Sequence, residues 1–324
     1  MKAIVISDSE KCSVEDVVSA PLKNHEVRVK VKVTCVCGSD LKNFKKPVQI
    51  PQIPGHEFSG VVTEIGPNSD GKIKIGERIT AFPMMACLKC EACQSGRLRD
   101  CEKKLSLGFH LPGSFAEEVV IDERFAIPLI PSITFEQGAL VEHICCGHRL
   151  SKEVKTHQSN RSAHIVVIGD GPIGLADIQA LRAAGYNNIT LLGKHDFRMS
   201  LALKLGATRA IKKWDSSLHK IDVCIHAALA PETMEALANS MNTDAIIFPQ
   251  TSLAKKYPQF KSGRAFAYSL SDFEEVMSLI ENKTYKTDEL ITQRVSLEKF
   301  PEVLPTLFQK NNQFKTVLVL EEEQ

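Results

Sequence analysis

From Glu26 to Val33 the chain reads Glu-Val-Arg-Val-Lys-Val-Lys-Val, apolar and polar in strict alternation. A period of two places every valine on one face and every charge on the other, which predicts a half-buried β-strand. Phe58 to Ile65, Glu117 to Ile121 and Met1 to Ile6 predict further strands. Pro51, Pro54, Gly55, Gly66, Pro67, Gly71 and Gly76 punctuate this first part of the chain as turns do.

The pattern changes near residue 163. His164 to Ile168 contains an unbroken apolar run, as expected of a strand buried on both faces. A glycine turn follows, then helical spacing over Leu175 to Ala184, a strand at Ile189 to Leu192, a helix at Arg198 to Leu205 and a strand near Ala207 to Ile211. Asp222 to His226 and Ala245 to Phe248 are further short apolar runs. Strands and helices in alternation predict an α/β fold with a doubly wound parallel sheet. The polar stretch 151–162 is the expected boundary with the β-rich part. Only Lys212 to Lys220 precedes Asp222, and a crossover helix usually needs roughly ten residues or more, so a short irregular link is expected there. Helices at Asp272 to Ile280 and Leu297 to Phe308 and a strand at Lys315 to Leu320 close the chain.

With 324 residues, two domains are the natural expectation. Hydrophobic residues make up 43% and charged residues 24%, enough for a large buried core. The formal net charge of +1 gives no field to draw in nucleic acid or a membrane surface. No run approaches the roughly 20 apolar residues of a bilayer-spanning helix, and the apolar run after Met1 is too short for a signal peptide. The cytoplasm is therefore the expected location, with neither nucleic acid nor membrane as partner.

There are ten cysteines, and Cys87, Cys90, Cys93 and Cys101 fall in one short window. Four thiolates at such spacings can wrap a tetrahedral zinc with no open position, a site that stabilises a loop and performs no chemistry. Lys89, Arg97, Arg99, Lys103 and Lys104 lie nearby without interleaved aromatics, which argues against a nucleic-acid ribbon.

Gly169-Asp170-Gly171-Pro172-Ile173-Gly174 is G-x-G-x-x-G between a predicted strand and a predicted helix, the context in which the pattern binds a dinucleotide. Its glycines permit a tight turn, close approach of a pyrophosphate and close strand–helix packing. The helix N-terminus offers N–H groups to the phosphates. A NAD site commonly carries Asp or Glu at the end of the second strand. Here that place holds Gly193, followed by Lys194, His195 and Arg198. No carboxylate opposes a 2′-phosphate and three basic groups can meet it, so NADP is expected over NAD.

Cys37-Gly38-Ser39-Asp40, Gly55-His56-Glu57 and Val141-Glu142 offer sulfur, nitrogen and oxygen donors that suit a zinc with an open fourth position. Spacing alone leaves open whether residues so far apart in sequence meet.

Taken in order, Cys37-Gly38-Ser39-Asp40, Gly55-His56-Glu57-Phe58-Ser59-Gly60, the four-cysteine window and the glycine turn resemble the zinc-containing medium-chain alcohol dehydrogenases. The polyol branch is the most similar, with sorbitol, galactitol-1-phosphate and threonine dehydrogenases. That branch uses a glutamate where simple alcohol dehydrogenases use a cysteine, and Gly138-Ala139-Leu140-Val141-Glu142 fits the glutamate pattern.

The resemblance implies a GroES-like β-rich catalytic domain over 1–150, a Rossmann cofactor domain over 151–268 and a return to the first domain over 269–324. It implies two zincs per chain: a catalytic ion held by Cys37, His56 and Glu142 with Glu57 beside or on it, and a structural ion in the cysteine lobe. Ser39 matches the family's proton-accepting hydroxyl, and Asp40 is expected to orient the site. A histidine that relays the proton in some relatives is matched by Lys42. His143 stands where the family often has proline. Cys145 and Cys146 are expected to pack in a helix. Residues 43–54 and the loop around Gly108-Phe109-His110 are expected to shape the pocket, with Lys42, Lys45, Lys46 and His110 open to a phosphate or to solvent. A homodimer or homotetramer is implied, joined along a strand near Arg264 to Tyr268.

The implied reaction moves a hydride between NAD(P) and a secondary alcohol of a polyol, a sugar alcohol, phosphorylated or not, or an amino-cyclitol. The partner is thus a small alcohol or ketone. A primary-alcohol or threonine dehydrogenase is the alternative within the class. A redox-inert cofactor-binding protein that keeps the fold is the alternative outside it.

Overall fold

The computed structural model describes residues 1–214, 220–228, 231–250, 257, 259–263, 268–309 and 313–320. The chain divides into two compact units, the first made of Met1–Glu142, Ser269–Glu281 and Leu290–Gln324, the second of His143–Tyr268 and Asn282–Glu289.

The hub of the first unit is the strand Glu26–Cys35, in which Val27, Val29, Val31 and Val33 are all buried. It pairs antiparallel with Glu57–Ile65, with Glu118–Asp122 and with the late strand Lys315–Val319. The alternating valines therefore face a core shared with Phe58, Val62, Ile79 and Ile121. Strand register also fixes the neighbours of the hub's last residue: Cys35 stands opposite Glu57 on one side and opposite Val317 on the other. The strand Lys2–Asp8 forms a hairpin with Lys11–Asp16. That second arm was not expected, because its residues are half-buried or exposed and show no apolar face to read.

Among the described residues the second unit carries six parallel strands in the order Arg209–Ile211, Ile189–Leu192, Ile165–Ile168, Ile221–His226, Met241–Pro249 and Lys261–Ser262. Counted along the chain within this unit, that is the order 3-2-1-4-5-6 of the dinucleotide-binding sheets. The order reverses beside Ile165–Ile168, whose end Ile168 is in register with His226. The glycine turn leaves the sheet at this carboxyl end, where open α/β sheets hold their ligands. Lys212, Lys213 and Trp214 are not helical, and residues 215–219 of the expected irregular link lie outside the described residues. Most of the expected edge strand, residues 264–267, also lies outside them.

The helix Phe135–His157 runs into the polar stretch that the sequence pattern reads as a boundary. The stretch 151–162 is therefore not a linker throughout, since it is helical up to His157, and the division between the units falls earlier, at Glu142 and His143. Leu150 and Val154 explain the extension: four residues apart on one face, both are fully buried, so the polar neighbours ride on a packed stripe. Among the described residues no helix is long and apolar enough to cross a membrane.

Candidate active site

The register of the hub strand brings distant donors together. Cys37 lies two residues beyond Cys35, and His56 and Glu57 open the strand that pairs with it. One ligand atom from each of Cys37, His56 and Glu57 falls within 4.8 Å of the others. His56 and Glu57 are buried and Cys37 is half-buried. Asp40 organises the group from the helix Gly38–Lys45. Its Oδ2 accepts the Cys37 backbone N–H at 2.9 Å, and its Oδ1 lies 3.1 Å from His56 Nδ1. With Nδ1 so engaged, Nε2 is the nitrogen left for a metal, the arrangement in which a carboxylate orients a metal-binding imidazole. Burial opposes a charge on His56, but Asp40 and then Cys37 outweigh it and hold its pKa well above the ordinary value.

Glu57 is fully buried and pairs through Oε2 with Lys315, itself 1% exposed. Burial opposes the lysine's charge, while Glu57, then Cys37 and Cys35, favour it, and the net effect raises its pKa. Glu57 Oε1 has no hydrogen-bond partner. A buried carboxylate oxygen left bare beside a thiol and an imidazole is costly unless a cation meets it, so this donor set fits zinc. Phe109 covers the group on one side, its ring centroid 5.8 Å from that of His56. Gln52 holds this loop by donating to the carbonyls of Gly108 at 2.8 Å and Phe109 at 2.7 Å, and Asn43 donates to Gly108 at 3.1 Å.

In the cysteine lobe, the four sulfurs of Cys87, Cys90, Cys93 and Cys101 also lie within 4.8 Å of one another, and none is in a disulfide. Backbone N–H groups of Lys89 and Cys90 pull the Cys87 thiol down to about 6, while burial and the neighbouring sulfurs push Cys93 up to about 12. The Cys87 thiolate is thus favoured and the Cys93 thiolate opposed, an imbalance that a divalent ion removes. This set fits zinc as well.

The glycine turn has the shape a pyrophosphate needs. Gly169 adopts φ +113°, closed to most side chains. A Cβ on Gly171 would meet nothing within 4 Å, so that residue borders open space. One on Gly174 would collide with the Gly169 carbonyl, so the helix Pro172–Ala183 packs directly on the turn. Gly171 caps that helix, and beyond Pro172, which has no N–H, the first-turn amides of Ile173 and Gly174 suit an anion site. The residues fit a dinucleotide.

Known proteins agree with this geometry. Residues 23–132 match the alcohol dehydrogenase GroES-like domain family. The L-threonine 3-dehydrogenase of Yersinia enterocolitica serotype O:8 / biotype 1B is 26% identical over 329 aligned positions, covering 93% of this chain and 95% of that protein. The structure of galactitol-1-phosphate dehydrogenase from Escherichia coli aligns with a TM-score of 0.86 at 24% identity, over 98% of this chain and 100% of that one. An alcohol dehydrogenase from Escherichia coli CFT073, complexed with NADH, aligns with a TM-score of 0.86 at 23% identity, over 99% of each chain.

The chain belongs to the zinc-containing medium-chain alcohol/polyol dehydrogenase family. It is an NAD(P)-dependent alcohol dehydrogenase, with a GroES-like unit and a Rossmann-type parallel sheet.

Within that family frame, several residues find definite places. Glu142 is buried at 7% exposure but stands outside the compact group of Cys37, His56 and Glu57. Ser39 is half-buried in the first turn of the helix Gly38–Lys45, and Lys42, on the same helix, is exposed. Lys45 pairs with Glu10 at 3.7 Å and lies 4.9 Å from the Phe308 ring, and His110 Nδ1 accepts the Ser106 N–H at 3.1 Å. His143 and Cys145 are buried and Cys146 half-buried. At the second strand's end, Lys194 is exposed and Arg198 half-buried, while Gly193 is buried against Asp170. Sequence reasoning missed Lys315. The one available signal was a lysine opening an otherwise apolar strand, a place more often solvated than buried.

Proposed function

We propose that the chain oxidises a secondary alcohol on a polyol or sugar alcohol, phosphorylated or not, or on an amino-cyclitol, and catalyses the reverse ketone reduction, with NADP preferred over NAD. The observation that carries this is the bare Glu57 Oε1 beside Cys37 and His56, a buried donor set that needs a cation. The family pattern adds the buried Glu142 as a further carboxylate toward this site, beyond the compact group of Cys37, His56 and Glu57. Cys37, His56 and the carboxylates would hold a zinc that would supply Lewis acidity toward a substrate hydroxyl, and the glycine turn would hold a nicotinamide cofactor that would supply hydride acceptance.

The chain's own residues do the rest. Asp40 holds His56 by Nδ1 and Cys37 by its backbone, so both donors are in place before substrate arrives. Lys315 neutralises Glu57 from the far side, leaving Oε1 for the metal. Ser39 Oγ takes the hydroxyl proton as its own proton passes to water, and Phe109 walls one side of the pocket. The NADP preference rests on Gly193 in place of a carboxylate, with Lys194 and Arg198 beside it. A homodimer or homotetramer in the cytoplasm belongs to the same reading, and light scattering tests its assembly.

The deciding experiment measures metal content alongside cofactor reduction, with NADP and NAD against a panel of polyols, sugar-alcohol phosphates and threonine. Two zincs per chain and turnover of a polyol with NADP support the proposal. Turnover of threonine alone replaces the substrate class. One zinc confined to the cysteine lobe, with no turnover, overturns the catalytic reading in favour of a cofactor-binding protein.

A further inference from the structure

Asp170, between the first two glycines of the turn, reaches across to the end of the neighbouring strand. Its Oδ2 accepts the backbone N–H groups of Lys194 and His195, each at 2.7 Å, and His195 Nδ1 lies 2.9 Å from the same oxygen. A Cβ built on Gly193 would stand 3.0 Å from both Asp170 Cβ and Oδ2. The space of an acidic side chain at the strand end is therefore filled by a carboxylate from the glycine turn. Unlike a strand-end acid, this one is engaged by the loop it faces. It is 6% exposed. Burial opposes its charge, yet the amides of His195 and Lys194 and the His195 ring hold its pKa below the ordinary carboxylate value. The next carboxylate along, Asp196, pairs with Lys212 at 2.8 Å. The loop presents Lys194 and the Lys212-paired Asp196 to solvent.

We infer that Asp170 is a positioning residue for cofactor discrimination: it fixes the Lys194–His195 turn so that cationic groups meet the ribose 2′ substituent and select a 2′-phosphate. The inference rests on the reading that this chain prefers NADP. Three charge-assisted contacts hold the loop in its binding conformation, so less ordering is required when the cofactor arrives. The Asp170 carboxylate is occupied by the His195 ring and two amides, so it opposes a phosphate dianion less than a free carboxylate at the strand end would.

The test titrates the full chain with NADPH, NADH, adenosine 2′,5′-bisphosphate and adenosine 5′-monophosphate, following binding by calorimetry. Wild type, Asp170→Asn and Asp170→Ala are compared, each with its thermal unfolding midpoint. Asp170→Ala should weaken NADPH and the bisphosphate by about tenfold or more, and NADH and the monophosphate by less than about threefold. Asp170→Asn keeps an oxygen that accepts N–H groups and should fall between. If the alanine variant does not fold, the asparagine variant decides, with a loss confined to the 2′-phosphorylated ligands. Equal weakening of all four ligands, or no change in any, overturns the inference. So does a selective loss of NADH, which would make Asp170 the acceptor for a 2′-hydroxyl. The parent reading fails separately, if wild type binds NADH about tenfold more tightly than NADPH. The differential between variants still decides the role of Asp170 in that case.

Discussion

The cysteine lobe and the Cys37 group fit the same ion by opposite means. The lobe takes four sulfurs from one short stretch, and its local loop, with Leu88 at φ +57° and Gly96 at φ +75°, turns them inward. The Cys37 group takes a sulfur, a nitrogen and an oxygen from the facing ends of two paired strands and leans on a buried lysine from a third. Uniform soft donors close the first site. Mixed donors, with Cys37 half-buried, leave the second able to take a substrate oxygen. The difference teaches that the sites should fail differently: loss of the lobe costs stability, whereas loss of the open group costs chemistry.

Crossed variants test that contrast most strongly. His56→Ala should lower kcat/KM by about 10³-fold or more, since the site loses its polarising ion, with little change in unfolding midpoint. Cys93→Ser should remove the other zinc and destabilise the chain by about 4 kcal/mol, read from denaturant unfolding. If both variants lose activity and stability in the same proportion, the comparison collapses.

Lys315→Met comes next. It leaves Glu57 as an uncompensated buried charge and should cost about 3–5 kcal/mol in urea unfolding, of which adding Glu57→Gln recovers a large part. No recovery in the double variant would mean that the lysine acts by packing alone.

Ser39→Ala should slow hydride transfer by about 10²-fold without loss of metal, because it removes an acid–base group and no ligand. Single-turnover kinetics beside zinc analysis separates the two, and wild-type turnover excludes the role.

The smallest effect serves as a control. His25, Asp70 and Glu123 also place three donor atoms within 4.8 Å of one another. Here both oxygens of Glu123 are used: Oε1 accepts the Asp70 N–H at 2.8 Å and Oε2 the Ser69 hydroxyl at 2.5 Å. This carboxylate has no bare oxygen, unlike Glu57, and it ties loops together. Burial opposes its charge, but Ser69, Asp70 and His25 lower its pKa overall. A depressed carboxylate contributes stability above the unfolded value of about 4.3 and loses it as pH falls through the folded pKa. Urea midpoints between about pH 3 and 6 should fall more steeply toward acid in wild type than in Glu123→Gln. Parallel curves would remove Glu123 from the balance.

Legibility in the sequence followed the range of the interactions. The glycine turn and the cysteine lobe could be read residue by residue because all their parts lie within one turn or one loop. The hub strand was legible because a period of two is itself the burial pattern, as Val27, Val29, Val31 and Val33 show. Lys11–Asp16 was not, since a half-exposed hairpin arm needs no apolar face. The far end of Phe135–His157 was hidden because a few buried residues carry an otherwise polar helix. The Cys37 group lay in between: its donor types were visible, but their meeting was known only by resemblance.

By itself, then, the sequence determined the two-part α/β architecture, the cysteine lobe, the glycine turn and the family, all encoded in local patterns or in short motifs in a telling order. Tertiary structure alone decided that Lys315 would neutralise Glu57, that Glu57 Oε1 would be left bare, and that Asp170 would fill the space of the side chain missing at Gly193. Those outcomes depend on strand register and on which element lies across from which. Register is set by the sum of many apolar contacts, and no spacing along the chain records it.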